Sequence, residues 1–136
     1  MSDKNFQAFN VKTSANIQFV DITREVRHCV SEKGVQSGIV LVYTPHTTAG
    51  ITINENADPA VTADIEAFLK NKFPHEPYFR HMEGNSPSHI MSSYFSASET
   101  LIIDGGQLVL GTWQGIYFCE FDGPRNRQVH VKVIAG

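Results

Sequence analysis

The chain has 136 residues and a mass of 15.1 kDa, and 41% of its residues are hydrophobic. This length predicts one domain, residues 1–136, with a core large enough to fold without a metal or a disulfide. A net charge of -3 and scattered basic residues argue against a nucleic-acid-binding surface. The sequence contains no apolar run of the roughly 20 residues that a membrane span requires, and it begins without a signal-peptide pattern. We therefore expect a soluble cytoplasmic protein that binds neither nucleic acid nor membrane.

Strand patterns occur along most of the sequence. The segments share β-branched and aromatic residues bounded by Gly, Pro or Asp, and they are 15–20, 37–44, 49–54, 99–104, 107–111, 114–122 and 128–135. The run 37–44 is almost entirely apolar, which is typical of a strand covered on both faces. Alternation along 114–122 predicts that Tyr117, Cys119 and Phe121 share one face and that Glu120 lies among apolar residues on the other.

Helical spacing occurs in two main segments. The first, 21–34, can be capped by Asp21 or Thr23 and ends at Gly34. The second begins after Asp58, which is a favourable capping residue followed by a proline. Together these patterns predict an α+β fold, in which a β-rich sandwich-like core carries two main helices packed on the sheet.

The segment RHMEGNSPSHIMSS, residues 80–93, gathers ligand-type side chains in a predicted loop that leads into a short third helix. Its candidates are His81, Glu83, Asn85 and His89. Imidazole and carboxylate groups are ligands for zinc, and a catalytic zinc site uses three protein ligands. The alternative is that both histidines are ordinary exposed loop residues. A metal site would need a third ligand from elsewhere.

His46 is the candidate for that third ligand, because it follows a predicted strand in TPHTTAG, residues 44–50. A strand end fixes the direction of its side chains, although an ordinary polar turn would have the same composition. The next strand leads into NENADP, residues 54–59. Capping accounts for Asp58, whereas Glu55 could act as a general base.

The segment GTWQGIYFCEFDGPR, residues 111–125, holds three further candidates. Trp113 lies between two glycines and could stack on a flat ring, or it could simply pack in the core. Glu120 is predicted to be buried, so it is either paired or functional. Arg125 is a candidate clamp for phosphate or carboxylate, with a solvated surface position as the alternative.

Other patterns are absent or uninformative. The sequence contains no P-loop, no dinucleotide-binding fingerprint and no nucleophile elbow. Its two cysteines, Cys29 and Cys119, are 90 positions apart in apolar patterns, which predicts two buried free thiols.

Three blocks of the sequence resemble the YjbQ-like protein family. They are HTTAGITINENADP, HMEGNSPSHI and LGTWQGIYFCEFDGPR, and they occur in the family's order across nearly the whole chain. The resemblance implies an α+β fold, a homotrimer and a histidine-rich site able to hold a metal or an anion. It also implies a link to thiamine-phosphate synthase activity, which joins a pyrimidine-methyl diphosphate to a thiazole phosphate.

By this resemblance the matched blocks supply a full set of site residues. The expected metal ligands are His46, His81 and His89, for a divalent cation such as zinc or magnesium. The expected catalytic group comprises Glu55, Asp58, Glu83 and Glu120. The expected substrate-binding group comprises Asn85, Trp113, Gln114 and Arg125.

Our leading hypothesis from the sequence is a metal-dependent enzyme that acts on a small phosphorylated substrate, with thiamine-phosphate synthase activity and Glu55 or Glu83 as acid/base. The alternative is a trimeric module that binds a small anionic metabolite without converting it. A purely structural role fits less well with so many polar groups near strand ends.

Overall fold

The structure is a computed structural model that describes residues 5–136. These residues form an α+β fold, as predicted from the sequence, and they comprise eight strands and three helices. In chain order the elements are β1 (Phe6–Lys12), β2 (Gln18–Asp21), α1 (Thr23–Lys33), β3 (Ser37–Tyr43), β4 (Ala49–Glu55), α2 (Pro59–Lys72), α3 (Ser86–Phe95), β5 (Ser98–Asp104), β6 (Gln107–Leu108), β7 (Gln114–Glu120) and β8 (Asn126–Ala135).

The strands form two antiparallel sheets. The larger sheet has the order β1-β8-β3-β5-β6, and the smaller has the order β2-β7-β4. Strand β7 lies at the centre of the smaller sheet. Its pairing with β4 places Glu120 opposite Ala49 and Gln114 opposite Glu55. This register decides which candidate residues can meet.

Strand β7 separates two hydrophobic cores. Ile116 and Phe118 belong to a core built from both sheets and α1, whereas Tyr117, Cys119 and Phe121 belong to a second core with α2 and α3. The alternation predicted for this strand is therefore confirmed. Both cysteines are buried free thiols, also as predicted.

The helix ends follow the predicted signals in most details. At the start of α1 the N-cap residue is Ile22, which makes no side-chain capping bond, and not the predicted Asp21 or Thr23. Asp21 instead accepts hydrogen bonds from the Thr23 amide at 2.9 Å and the Thr23 hydroxyl at 2.6 Å. Gly34 ends α1 in the left-handed conformation, at a φ of 65° that favours glycine. Asp58 caps α2 by accepting a hydrogen bond from the Ala60 amide at 2.9 Å. No helix of residues 5–136 is long and apolar enough to cross a membrane.

The strands differ from the sequence-based predictions in two places. Strand β1 was not predicted, because the alternation in its sequence is weak and Val11 is its one buried residue. Strand β3 is covered on one face only: Val40 and Val42 are buried, whereas Ile39 and Tyr43 are about two-fifths exposed. No element of residues 5–136 covers this second face, so its apolar side chains meet solvent in a single chain.

Candidate functional site

One polar pocket collects most of the candidate side chains, and we call it the histidine–arginine pocket. It has a volume of about 370 Å³, and its lining includes His46, His81, Glu83, His89, Arg125 and Arg127. The histidines and Glu83 come from the β3–β4 connection and from residues 81–89 before and within α3. Arg125 comes from the turn between β7 and β8, and Arg127 lies at the start of β8. Strand ends and the loop after α2 therefore meet at one end of the smaller sheet, and all three predicted histidines line the pocket there.

The three histidines share the pocket but do not form a metal centre. The rings of His81 and His89 lie edge to face, with their centroids 5.2 Å apart. In the described part of the chain, however, no group of three or more His, Cys, Asp and Glu residues is arranged to hold a metal ion. The predicted zinc or magnesium cofactor thus has no ligand group among these residues.

A backbone hydrogen bond fixes the chemical state of His46. The amide of Gln128 donates to His46 Nε2 at 2.9 Å, so that nitrogen must present its lone pair. This contact assigns the ring proton to Nδ1 and makes the imidazole neutral. Because Nε2 is already occupied, it is not free to bind a metal.

The pKa of His46 is also lowered from its usual value. Burial is the largest cause, followed by the positive charge of Arg127, and the opposing effect of Glu120 is smaller than that of Arg127. The neutral imidazole therefore lies beside the guanidinium groups of Arg125 and Arg127 and the carboxylates of Glu83 and Asp122, which line the same pocket.

Arg127 is held at the pocket by a buried ion pair with Glu120. The Glu120 side chain is completely buried and accepts hydrogen bonds from Arg127 Nε at 2.8 Å and from Arg127 Nη2. It also accepts the Thr13 hydroxyl at 2.7 Å and the Asp122 amide at 2.9 Å. Four hydrogen bonds therefore occupy the carboxylate, which corresponds to the paired alternative that we considered for this buried residue.

Sequence analysis missed Arg127. It precedes a segment with strand periodicity and looks like an exposed residue at a strand start, yet only 4% of its surface is exposed. Its Nη2 also donates to the hydroxyl of Thr48 at 2.9 Å. The available signal was Glu120 itself, because a carboxylate predicted to be buried needs a cationic partner.

Arg125 lines the same pocket at a more exposed position than Arg127. Its Nε donates to the Asp122 carbonyl at 2.7 Å and its Nη2 lies 3.0 Å from the Asp122 carboxylate, with half of the arginine side chain exposed.

The turn requires glycine at position 123, because a Cβ there would lie 2.3 Å from the Ala15 carbonyl oxygen and 2.7 Å from Glu120 Cγ. The substrate-binding prediction for Arg125 and Asn85 is consistent with their place in the pocket lining.

Four predicted site residues lie elsewhere. Glu55, Trp113 and Gln114 are at the opposite end of the β4–β7 pair, six residues along β7 from Glu120, which is about 20 Å at ~3.4 Å per residue. Trp113 is 63% exposed on a turn, and Gln114 accepts a hydrogen bond from the Gly111 amide at 2.8 Å. Asp58 caps α2, beyond the end of β4. These residues therefore do not join Glu83 in one catalytic group.

Comparison with known proteins gives one consistent family. The family model described as UPF0047 protein YjbQ-like matches residues 7–136. A UPF0047 protein of Methanocaldococcus jannaschii is 52% identical over 93% of this chain and 91% of its own length. The UPF0047 protein YugU of Bacillus subtilis is 50% identical over 94% of this chain and 98% of its own length.

Solved structures agree with this result. The crystal structure of an uncharacterised YjbQ/UPF0047 protein of Clostridium acetobutylicum has a TM-score of 0.91 and 55% identity, and the match covers 94% of this chain and 99% of that one. A protein of unknown function from Sulfolobus solfataricus has a TM-score of 0.91 and 30% identity, with 96% of each chain covered. The predicted α+β fold is thus confirmed by structures of relatives.

The comparisons and the pocket together overturn the leading functional hypothesis. The names of these relatives carry only a family designation or the words unknown function, and nothing in them points to thiamine-phosphate synthase. The residues at 5–136 also offer no metal-binding group. The prediction of a metal-binding transferase with thiamine-phosphate synthase activity is therefore wrong.

Proposed function

We propose that this chain, which belongs to the YjbQ-like UPF0047 family, binds a small phosphorylated metabolite through its phosphate group in the histidine–arginine pocket. The observation that carries the proposal is the hydrogen bond from the Gln128 amide to His46 Nε2. This bond keeps the imidazole neutral and turns Nδ1 into a hydrogen-bond donor beside two guanidinium groups.

The donors of the pocket suit a tetrahedral oxyanion. Phosphate oxygens accept hydrogen bonds in several directions, and the guanidinium groups of Arg125 and Arg127 provide rigid, charged donors. Arg127 is pre-positioned by Glu120, so less conformational freedom is lost when an anion binds. The volume of about 370 Å³ is within the range of small-molecule sites.

The site also has features that limit which anions fit. Glu83 and Asp122 line the same pocket, and Asp122 already neutralises part of the charge of Arg125. A ligand with one compact phosphate therefore suits the pocket better than a polyanion, because extra negative charge would meet these carboxylates.

We extend the proposal to the assembly and its compartment. The larger sheet exposes apolar side chains on its outer face, including Ile39, Ile102 and Ile134, which are 39%, 59% and 45% exposed. Burial of this face between copies would support the homotrimer that the family resemblance implies. Two free buried thiols fit a reducing cytoplasm.

Thermal stability in the presence of inorganic phosphate tests the binding proposal. At constant ionic strength, phosphate should raise the Tm of the wild type, because a ligand that binds only the folded state stabilises it by about 1.4 kcal/mol at ten times its Kd. Arg125→Ala should lose most of this shift. The matched control is Arg24→Ala, which removes the same charge from an exposed position on α1.

Equal Tm shifts in Arg125→Ala, in Arg24→Ala and in the wild type would contradict the proposal. The same conclusion would follow if sulfate and phosphate produced no shift beyond that of chloride at matched ionic strength.

A further inference from the structure

The histidine–arginine pocket has an enclosed cationic side and an open side. Arg127 lies on the enclosed side, with 5% of its side chain exposed. His81 and Glu83 line the same pocket from the loop before α3, and both residues are exposed. The way in which a ligand lies between these two sides depends on which polar atoms of the lining are still free.

Arg127 has one guanidinium nitrogen that is free and accessible. Its Nε donates to Glu120, and its Nη2 donates to Glu120 and Thr48. Its Nη1 makes no hydrogen bond to residues 5–136. Nη1 is also not one of the buried side-chain atoms that lack a partner in this range, so solvent reaches it. Since the rest of Arg127 is enclosed, Nη1 is the atom that this residue presents to the pocket, with two N–H donors.

Two further donors of the lining are free in the same way. Arg125 uses Nε and Nη2 for its contacts with Asp122, which leaves Nη1. His46 accepts a hydrogen bond at Nε2, which leaves the proton on Nδ1. A phosphate group whose oxygens meet these donors has its ester substituent directed away from Arg127, because Glu120 fills the space behind that residue. The substituent therefore extends toward the open side.

Glu83 is an unpaired carboxylate on that open side. It forms no hydrogen bond or ion pair with residues 5–136, whereas Asp122, the other carboxylate of the lining, is paired with Arg125 at 3.0 Å. Glu83 repels a ligand that carries only negative charge, but it attracts a ligand whose substituent carries a positive charge. The charge pattern of the pocket is therefore complementary to a zwitterion.

We infer that the histidine–arginine pocket binds an aminoalkyl phosphate, whose phosphate group contacts Arg127 Nη1 and whose ammonium group pairs with Glu83. This inference rests on the proposed function, because the phosphate group occupies the site described above. It adds the chemical class of the ligand, and it makes Glu83 the residue that selects this class.

Calorimetric titration of the wild type with matched pairs of probes tests the inference. The pairs are phosphoethanolamine with propyl phosphate and 3-aminopropyl phosphate with butyl phosphate, so that a methyl group replaces the ammonium group. Each alkyl phosphate is more apolar and more negatively charged than its partner at neutral pH, where an alkylamine is protonated. A pocket that recognises phosphate alone would therefore bind the alkyl phosphate at least as tightly. We expect the opposite order in at least one pair, by about threefold to fivefold, as for one solvent-exposed ion pair.

The role of Glu83 is read from the affinity ratio within each protein. In Glu83→Gln, the ratio of the preferred aminoalkyl phosphate to its alkyl partner should fall to one or below. The matched control is Glu25→Gln, which removes the same charge from an exposed position on α1 and should keep the wild-type ratio. A ratio that is unchanged in Glu83→Gln would overturn the assignment of Glu83.

The outcomes separate this inference from the proposed function. If none of the probes and no inorganic phosphate binds, the proposed function fails and the inference fails with it. If both alkyl phosphates bind as tightly as their amino partners or more tightly, phosphate binding stands and only the aminoalkyl class is refuted. This comparison uses the wild type alone, so it does not depend on the folding of a variant.

Discussion

Replacement of Arg127 by methionine should be among the most destabilising single changes in this protein. Methionine retains much of the arginine stem but removes both hydrogen bonds to Glu120, the one from Nε at 2.8 Å and the one from Nη2. Glu120 would then be a fully buried carboxylate with only Thr13 and the Asp122 amide as donors. Removal of one partner from a buried ion pair costs about 3–5 kcal/mol.

Urea denaturation followed by far-UV circular dichroism measures this loss. Dichroism suits the assay because the single tryptophan, Trp113, is 63% exposed and would report poorly on unfolding. The matched control is Arg125→Met, which breaks a half-exposed pair with Asp122 and should cost about 1 kcal/mol or less. A domain of this size typically has a free energy of unfolding of about 5–15 kcal/mol. The Arg127 variant should therefore stay folded in water over most of that range, so that its unfolding transition can be measured.

A double-mutant cycle isolates the interaction itself. Glu120→Gln removes the buried charge, so the double variant Glu120→Gln/Arg127→Met should be about 1–3 kcal/mol more stable than the sum of the two single losses. If the losses simply add, or if Arg127→Met costs no more than Arg125→Met, the view that Glu120 and Arg127 form a coupled pair would be refuted.

Three further predictions concern single positions. Asp58→Ala should destabilise the protein by about 1 kcal/mol in urea denaturation, because the α2 cap is lost, and a phosphate-binding defect in this variant would contradict its assignment as a cap. Gly123→Ala should cost at least about 1–3 kcal/mol and weaken phosphate binding, since the added Cβ lies too close to Ala15 and Glu120; wild-type stability would show that the turn relaxes freely. The folded-state pKa of His46 is lowered, so the unfolded chain takes up a proton first and this residue contributes stability above about pH 6.5 that is lost as the pH falls. The decrease in unfolding free energy between pH 7.5 and 5.5 should therefore be smaller in His46→Gln than in the wild type, and an equal decrease would show that His46 does not cause it.

The fold was largely predictable because its main elements have strong local patterns. The apolar run of β3 and the alternation of β7 identify strands without any tertiary information. Strand β1 lacked such a signal, since it pairs through β8 alone and its outward side chains are exposed. The exposed second face of β3 was not predictable either. An apolar run indicates that both faces of a strand are hydrophobic, but it does not reveal whether a segment of the same chain covers each face.

The candidate site was predictable in part. His46, His81 and His89 meet in one pocket because a strand end and a loop converge there. The hydrogen bond from Gln128 to His46 is a contact between residues 82 positions apart, so the sequence alone could not exclude a metal ligand at this position. The separation of Glu55 and Trp113 from the pocket follows from the antiparallel register of β4 and β7, which places the end of one strand beside the start of the other.

Arg125 and the turn that carries it are held by hydrogen bonds from the segment between β1 and β2. Thr13 donates to Glu120 and accepts from the Arg125 amide, and the Gly123 amide donates to the Asn16 carbonyl. The segment between β1 and β2 therefore supports this side of the pocket. Substitutions in that segment would lower the stability of the fold, and a change in ligand preference there would come at that cost. The opposite side consists of the exposed segment around His81 and Glu83. Substitutions that change which ligand the proposed site prefers should therefore be tolerated on the loop around His81 and Glu83, and not at the contacts made by Thr13 and Asn16.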